Sequence, residues 1–248
     1  MRQPRVGIHG LVSLAVGVAV WEVVGRAAGA DWLPPASAVL ARLIDLWATG
    51  DLQPALATSL MNLALGYLIS VVLGLVIGTL MGVSSNALRA FGPYVDAGLL
   101  TPVIILAPVF LVLLGISQGT LVAIIVVFAT FVIASTTRTA VATTDPLLRE
   151  MARSLGATPR EVLAEVTLRD AAPLIFSGLQ LGMSRAVKGM IVGEVIITIG
   201  GLGELETAFA TRFDAAGNWA ITVVVLAVAL IATRFVGLLD RLVNAWPR

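Results

Sequence analysis

Between Asp51 and Arg89 the chain carries no charged side chain, and between Asp96 and Arg138 it again carries none. Crossing the hydrocarbon core of a bilayer takes about 20 mostly apolar residues in a helix. Each of these runs is long enough for that, and the second is long enough for two crossings. Composition points the same way: 58 % of residues are hydrophobic and only 12 % charged, about half the charged share of an ordinary soluble domain. One water-facing core cannot hide that much apolar surface, so a bilayer must act as solvent. With no cues for a closed barrel, the fold class is all-α integral membrane.

Five stretches read as spans: Val6–Trp21 (extending to about Val24), Leu56–Val83, Ala97–Thr137, Ala171–Ile199 and Asn218–Val236. The third counts twice, because Gly115-Ile116-Ser117-Gln118-Gly119 is a turn signal. The expectation is therefore about six transmembrane helices. Segment 6–28 is the N-terminal span, and 52–246 holds the remaining spans. Between them, 32–51 has an amphipathic period through Val39, Leu40, Leu43, Ile44 and Trp47. It reads as an interfacial helix on the outer face, anchored by Trp32 and Trp47. Basic residues set the orientation. One side collects Arg2, Arg5, Arg89, Arg138, Arg149, Arg153, Arg160, Arg169, Arg241 and Arg248; the other holds only Arg26, Arg42 and Arg212 among acidic residues. Both termini are thus expected in the cytoplasm. The start also has the look of a secretory signal, with Arg2 and Arg5, an apolar run and Ala27-Ala28-Gly29-Ala30. Trp21, Glu22 and Arg26 between the apolar run and that site favour retention.

Several chemistries are excluded. Cys is absent and His9 is the single histidine, which leaves no thiolate metal site, disulfide or catalytic triad. No Gly-x-x-x-x-Gly-Lys-Ser/Thr phosphate loop occurs, so the chain has no ATPase site of its own. Nor does any basic run point to nucleic acid.

The longest polar connection lies between Arg138 and Ala172. Asp145-Pro146 is a helix start, with Asp as cap and Pro in the first turn. The helix runs through Leu147, Leu148, Met151 and Leu155 and is expected to stop at Gly156. Thr158-Pro159-Arg160-Glu161 is a second start with a capping box. Its helix, striped by Val162, Leu163 and Val166, is expected to end at Leu168. Ala152 and Gly156, four apart, would let another surface approach closely, with Glu150 as an anchor beside Arg149 and Arg153.

Glu150-Met151-Ala152-Arg153-Ser154-Leu155-Gly156, with Val166-Thr167-Leu168 at fixed distance, resembles the EAA loop of ABC-transporter importer permeases. Met151 replaces the middle Ala of that pattern, and Arg169 stands where Pro is usual. Leu33-Pro34-Pro35-Ala36, Gly201-Leu202-Gly203 and the segment Gly237 to Leu242 resemble the nitrate/sulfonate/taurine branch. The likeness covers about Trp32 to Trp246. It implies a type I importer permease fold over 1–248, with 145–169 as the cytoplasmic coupling loop. Arg149, Glu150, Met151, Ala152, Arg153, Leu155 and Gly156 would then contact the ATPase. The implied partners are two cytoplasmic ABC ATPase subunits that use ATP and Mg, a second permease copy, an extracytoplasmic solute-binding protein and membrane lipid. The implied location is the bacterial inner membrane.

Arg185, Lys188 and Glu194 fall within a span, where ionised groups face protein or water. Arg185 and Lys188, three apart, share a face and suit an anionic cargo; the competing reading is a structural pair with a carboxylate elsewhere. Gln180 and Ser184 complete the pathway candidates. The branch usually has Arg where Gln180 stands and Trp where Val187 stands, while Glu194 matches it. Gly66, Gly74, Gly78 and Gly82 read as close helix contacts. The alternative function is an ATPase-independent secondary transporter or channel, which expects internal repeats or paired acidic residues in broken spans; no convincing repeat is present.

Overall fold

The computed structural model describes residues 8–28 and 32–243. The His9 side chain and the distal part of the Ala27–Ala30 motif lie outside the described residues. Those residues form α1 (Ile8–Ala28), α2 (Ala36–Thr49), α3 (Leu52–Val83), α4 (Ser85–Leu100), a 3₁₀ turn (Val103–Leu106) and α5 (Ala107–Leu114). There follow α6 (Gln118–Ala142), α7 (Pro146–Ser154), α8 (Pro159–Glu161), a π-helical turn (Val162–Thr167), α9 (Leu168–Ile197), α10 (Leu202–Thr211) and α11 (Ala215–Val243).

Among the described residues, three helices are long and apolar enough to cross a membrane unaided: α3, α6 and α11. Counting the bent pairs α4–α5 and α8–α10 as single spans raises the number to five. α1 occupies the segment expected as the first span. The turn after α5 falls at Gly115–Ser117, as expected, and Ser117 caps α6 by accepting from the Thr120 amide. The piece before it differs from expectation. It begins at Ser85, capped by Ser84, and breaks at Thr101-Pro102, because proline offers no amide to continue a helix.

α6 is the axis of the domain, and glycines on its two neighbours explain why. On α3, a methyl group added at Gly74 would lie 2.6 Å from Ile133 Cγ2, and one at Gly66 would lie 2.5 Å from Ile125 Cγ2. On α9, a methyl group at Gly182 would meet Ile133 Cγ1 at 2.5 Å, and one at Gly178 would meet Thr136 Cβ at 2.7 Å. Without a hydrophobic drive between helices in lipid, close backbone approach supplies the van der Waals contact that holds them. Leu121, Ile124, Ile125, Ala129 and Ile133 of α6 are accordingly all but fully buried. The outward faces remain apolar: Leu68, Val72 and Val76 of α3 and Leu230, Ile231 and Phe235 of α11 are all exposed. That is the inversion a lipid environment allows.

α2 is more than an interfacial strip. Val39 and Leu46 are buried against α10 and α11, while Leu40, Ile44 and Trp47 stay exposed on the opposite side. The expected single apolar stripe is thus two faces, one for protein and one for the bilayer. Arg42 ties the inner face down by pairing with Asp214 at 3.0 Å and lying over the Phe209 ring. α1 docks at the head of α2 and against Trp219 of α11, whose ring centroid lies 5.3 Å from that of Trp21. Trp21 Nε1 donates to the Pro34 carbonyl, and the Glu22 carboxylate accepts from the Ser37 amide and hydroxyl, capping α2 from outside.

The glycine contacts are testable. A methyl group at Gly78 would lie 2.6 Å from the Ala134 backbone carbonyl oxygen, which has little room to yield. Gly78→Ala is expected to destabilise the detergent-solubilised protein by about 1–3 kcal/mol, against ~1 kcal/mol of helix propensity gained. Gly17→Ala, where nothing lies within 4 Å, is the control and should not lower the melting temperature. Equal behaviour of the two variants in thermal unfolding would contradict the clamp.

Candidate functional site

Two regions hold the candidate functional residues, one before α9 and one along it. The first is the segment around α7. Asp145 Oδ1 accepts from the Leu147 amide at 2.9 Å, and Pro146 fills the first turn. The helix ends in a Schellman motif: the Ala157 amide donates to Ala152 O and the Gly156 amide to Arg153 O. Gly156 has φ of +89°, a conformation that side chains rarely adopt. Thr158 and Glu161 then form the expected capping box.

The second helix of this segment is not short. α8, the π turn and α9 form one helix from Pro159 to Ile197. With Arg instead of Pro at 169 the ladder has no reason to stop, and Arg169 pairs with Glu165 one turn back. Pro173 lies inside α9. The elbow at Gly156 therefore leads directly into a membrane helix.

The exposed face of α7 differs from expectation. Ala152 is buried, so it packs inward and leaves no flat spot for a partner. Arg149 is half-buried and donates to the Thr144 carbonyl. Glu150, Met151, Arg153, Leu155 and Gly156 are exposed. Leu147, Met151 and Leu155 are 71 %, 58 % and 82 % exposed; at spacings of four they make one apolar ridge. Their i, i+4, i+8 spacing among polar residues was the signal for it.

The second region is a cavity of about 890 Å³ between α4, α6, α9 and α11. Phe128, Phe131 and Val132 of α6 and Thr222 and Leu226 of α11 form walls. Ser184, Arg185 and Lys188 of α9 line it together. Both cations are exposed, and among the described residues neither takes part in an ion pair. An intrachain carboxylate partner is thus not what holds them. Two unpaired cations on one apolar-walled face attract an anion, by roughly 4 kcal/mol per contact pair near a protein surface.

The other pathway candidates do not join them. Gln180 packs toward Gly237 of α11, and Glu194 is fully buried beyond the cavity wall. Ser70 and Ser177 donate to backbone carbonyls of their own helices, and Tyr67 donates to the Leu179 carbonyl; these are packing groups, as expected. No cluster of metal-ligating side chains occurs among the described residues.

Residues 70–245 match the family described as binding-protein-dependent transport system inner membrane component. The chain belongs to this family. It is 27 % identical over 230 residues to the formylaminopyrimidine transport permease ThiX of Halalkalibacterium halodurans, covering 92 % of each chain. It is 28 % identical over 242 residues to SsuC of Bacillus subtilis, named for aliphatic sulfonates transport, covering 96 % of this chain and 87 % of that one. The fold is similar to that of the MetNI methionine ABC transporter in inward-facing conformations, with a TM-score of 0.66 at 23 % identity over 77 % of this chain and 94 % of that one. The protein is thus an all-α ABC importer permease, and its apolar helices are those of an inner membrane component.

The capping box of the permease gives a pH prediction. The Glu161 carboxyl is held below its ordinary value, first by the Thr158 amide and then by the Thr158 hydroxyl. A depressed carboxylate contributes fully above its unfolded value and loses that contribution as pH falls through the folded one. Hydrogen exchange corrected for intrinsic rates should show protection of the first turn, 159–163, falling as pH drops below 4.5. Glu161→Gln keeps an acceptor without a titrating proton and should remove that pH dependence.

Proposed function

We propose that this permease forms half of a translocation pathway for a small anionic organic solute, sulfonate-, nitrate- or carboxylate-like, driven by partner ATPases. The observation that carries the reading is the pairing of two features on helices joined by the Gly156 elbow. The apolar ridge of Leu147, Met151 and Leu155 lies at one end, and the unpaired cations Arg185 and Lys188 lie within the membrane.

In this reading each of two cytoplasmic ABC subunits receives one α7 ridge in a groove and supplies ATP and Mg chemistry that this chain lacks. Glu150 and Arg153 flank the ridge as polar contacts, and Gly156 holds the elbow. A second copy of the chain closes the open side of the cavity, and an extracytoplasmic solute-binding protein delivers the cargo. Both termini lie in the cytoplasm, as the distribution of arginines supports. The relatives are named for cargoes of differing charge, so the anionic class rests on the cavity itself. A cation without a partner inside a membrane span is costly, and a transient anion relieves that cost during transport.

Two measurements separate the docking and cargo assignments. Met151→Asp places a charge on the ridge and is expected to reduce co-purification of the ATPase at least ~10-fold, the effect of one desolvated charge at an interface centre, with membrane insertion unchanged. Normal co-purification would remove the docking assignment. Lys188→Ala is expected to lower uptake of an anionic cargo ~10-fold or more while the complex still assembles. Loss of assembly before loss of uptake would make Lys188 structural instead.

A further inference from the structure

At the end of α9 opposite the α7 elbow, three helices meet on one buried carboxylate. Glu194 and Ser59 are both fully buried. The Ser59 hydroxyl donates to Glu194 Oε2 at 2.8 Å and accepts from the Leu202 amide at 2.8 Å. Glu194 Oε2 also accepts from the Gly203 amide at 3.1 Å. The carboxylate of α9 thus sits on the N-terminus of α10, where free amides and the helix dipole favour negative charge, and a hydroxyl of α3 bridges the two.

The sequence is shaped around this contact. A methyl group at Gly201 would come within 2.5 Å of Glu194 Cδ, and one at Gly203 within 2.5 Å of Glu194 Cβ. The turn between the helices is strained. Thr198, Gly200 and Gly201 have φ of +51°, +73° and +89°, and the left-handed value at Thr198 is one that a β-branched residue seldom adopts. Glu204 holds the Gly200 amide from the other side. The remaining oxygen of Glu194, Oε1, is buried with no hydrogen-bond partner. A strained turn held by a half-satisfied buried carboxylate is the arrangement expected of an element with two states rather than of inert packing.

We infer that the Glu194–Ser59 contact is a latch that holds α10 against α3 in one transport state and releases it in the other, so that Glu194 is a positioning residue for transport and not a cargo ligand. The mechanical reason is the helix from Pro159 to Ile197, roughly 55–60 Å long at 1.5 Å per residue. A displacement of the α7 elbow therefore reaches Glu194 through one continuous element. The inference rests on the ATP-driven reading above.

The test uses the assembled complex in proteoliposomes. The chain has no cysteine, so Thr207→Cys on α10 places a single thiol beside the latch. Its rate of maleimide labelling is measured without nucleotide and after trapping with ATP and vanadate. With the latch intact, and equally in Ser59→Thr, which keeps the hydroxyl, the two rates should differ about tenfold. In Ser59→Ala and Glu194→Met, which removes the acceptor, they should converge, because buried groups left without partners favour the released state, while the ATPase still co-purifies. Undiminished state dependence in both variants overturns the latch. So does convergence that appears only with loss of the ATPase, since that marks a purely structural contact. If the latch-intact chain does not respond to ATP while its ATPase is bound, the ATP-driven reading fails as well.

Discussion

Ile133 of α6 lies between Gly74 of α3 and Gly182 of α9, with either glycine too close to accept a methyl group. The same relation recurs along α6, with Ile125 facing Gly66 and approached by Gly189. In lipid the apolar side chains of a helix gain nothing by leaving solvent, since the solvent is itself hydrocarbon. What remains is contact area, and glycine increases it by letting backbones approach. The clamp on α6 thus decides the spacing and relative rotation of the three central helices. Shifting α9 by one residue would turn its glycines away from α6 and bring bulky side chains into the contact.

The rotation of α9 has functional consequences. Gly178, Gly182 and Gly189 face α6, so Ser184, Arg185 and Lys188 are carried to the side that opens into the cavity. Glu194, farther along, is carried inward to meet Ser59. One periodicity therefore places the cations on the cavity wall and the carboxylate in the packing. That accounts for the different fates of three charges that look alike as intramembrane residues in sequence.

Much of this was legible beforehand. The spans of α3, α6 and α11 follow from long uncharged runs that leave few alternatives, that of α9 from an apolar run carrying three charges, and the α3 glycines announce a close contact by their spacing. The elbow at Gly156 and both helix starts around it follow from local chemistry: Asp145, Thr158 and Glu161 need only their own neighbours to form caps. The family resemblance rests on the same residues. What could not be read depended on partners distant in the chain. Ala152 was expected on the contact surface, but whether a small residue faces in or out depends on what lies beneath it. Glu194 was grouped with Arg185 and Lys188 because sequence shows only that it is charged and in a span. Its role depends on Ser59, far away on α3, and on α10 folding back. The continuous helix through Arg169 departs from the expected end at Leu168, because Arg169, unlike a proline, supplies an amide to the ladder. The glycines of α9 differ from those of α3 in being spaced among charges, and their contact with α6 shows only in the packed structure.

The departure at Arg169 bears on how force would travel. A proline at that position would interrupt the hydrogen-bond ladder and allow the elbow to move without dragging the membrane helix. Here the ladder continues through residue 169; Pro173 removes one of its bonds further on, and the other irregularity is the π turn at Val162–Thr167. Its walls are not loose: Val162 and Thr167 are buried, and the Thr167 carbonyl receives the Thr144 hydroxyl. A π turn of this kind changes the phase of a helix without uncoupling its halves. It lets the Thr158–Glu161 cap face one way and the Arg185–Lys188 face another while both remain on one rod. Rigid coupling then makes the far end of that rod the place where flexibility must be concentrated. That is where Thr198, Gly200 and Gly201 adopt positive φ.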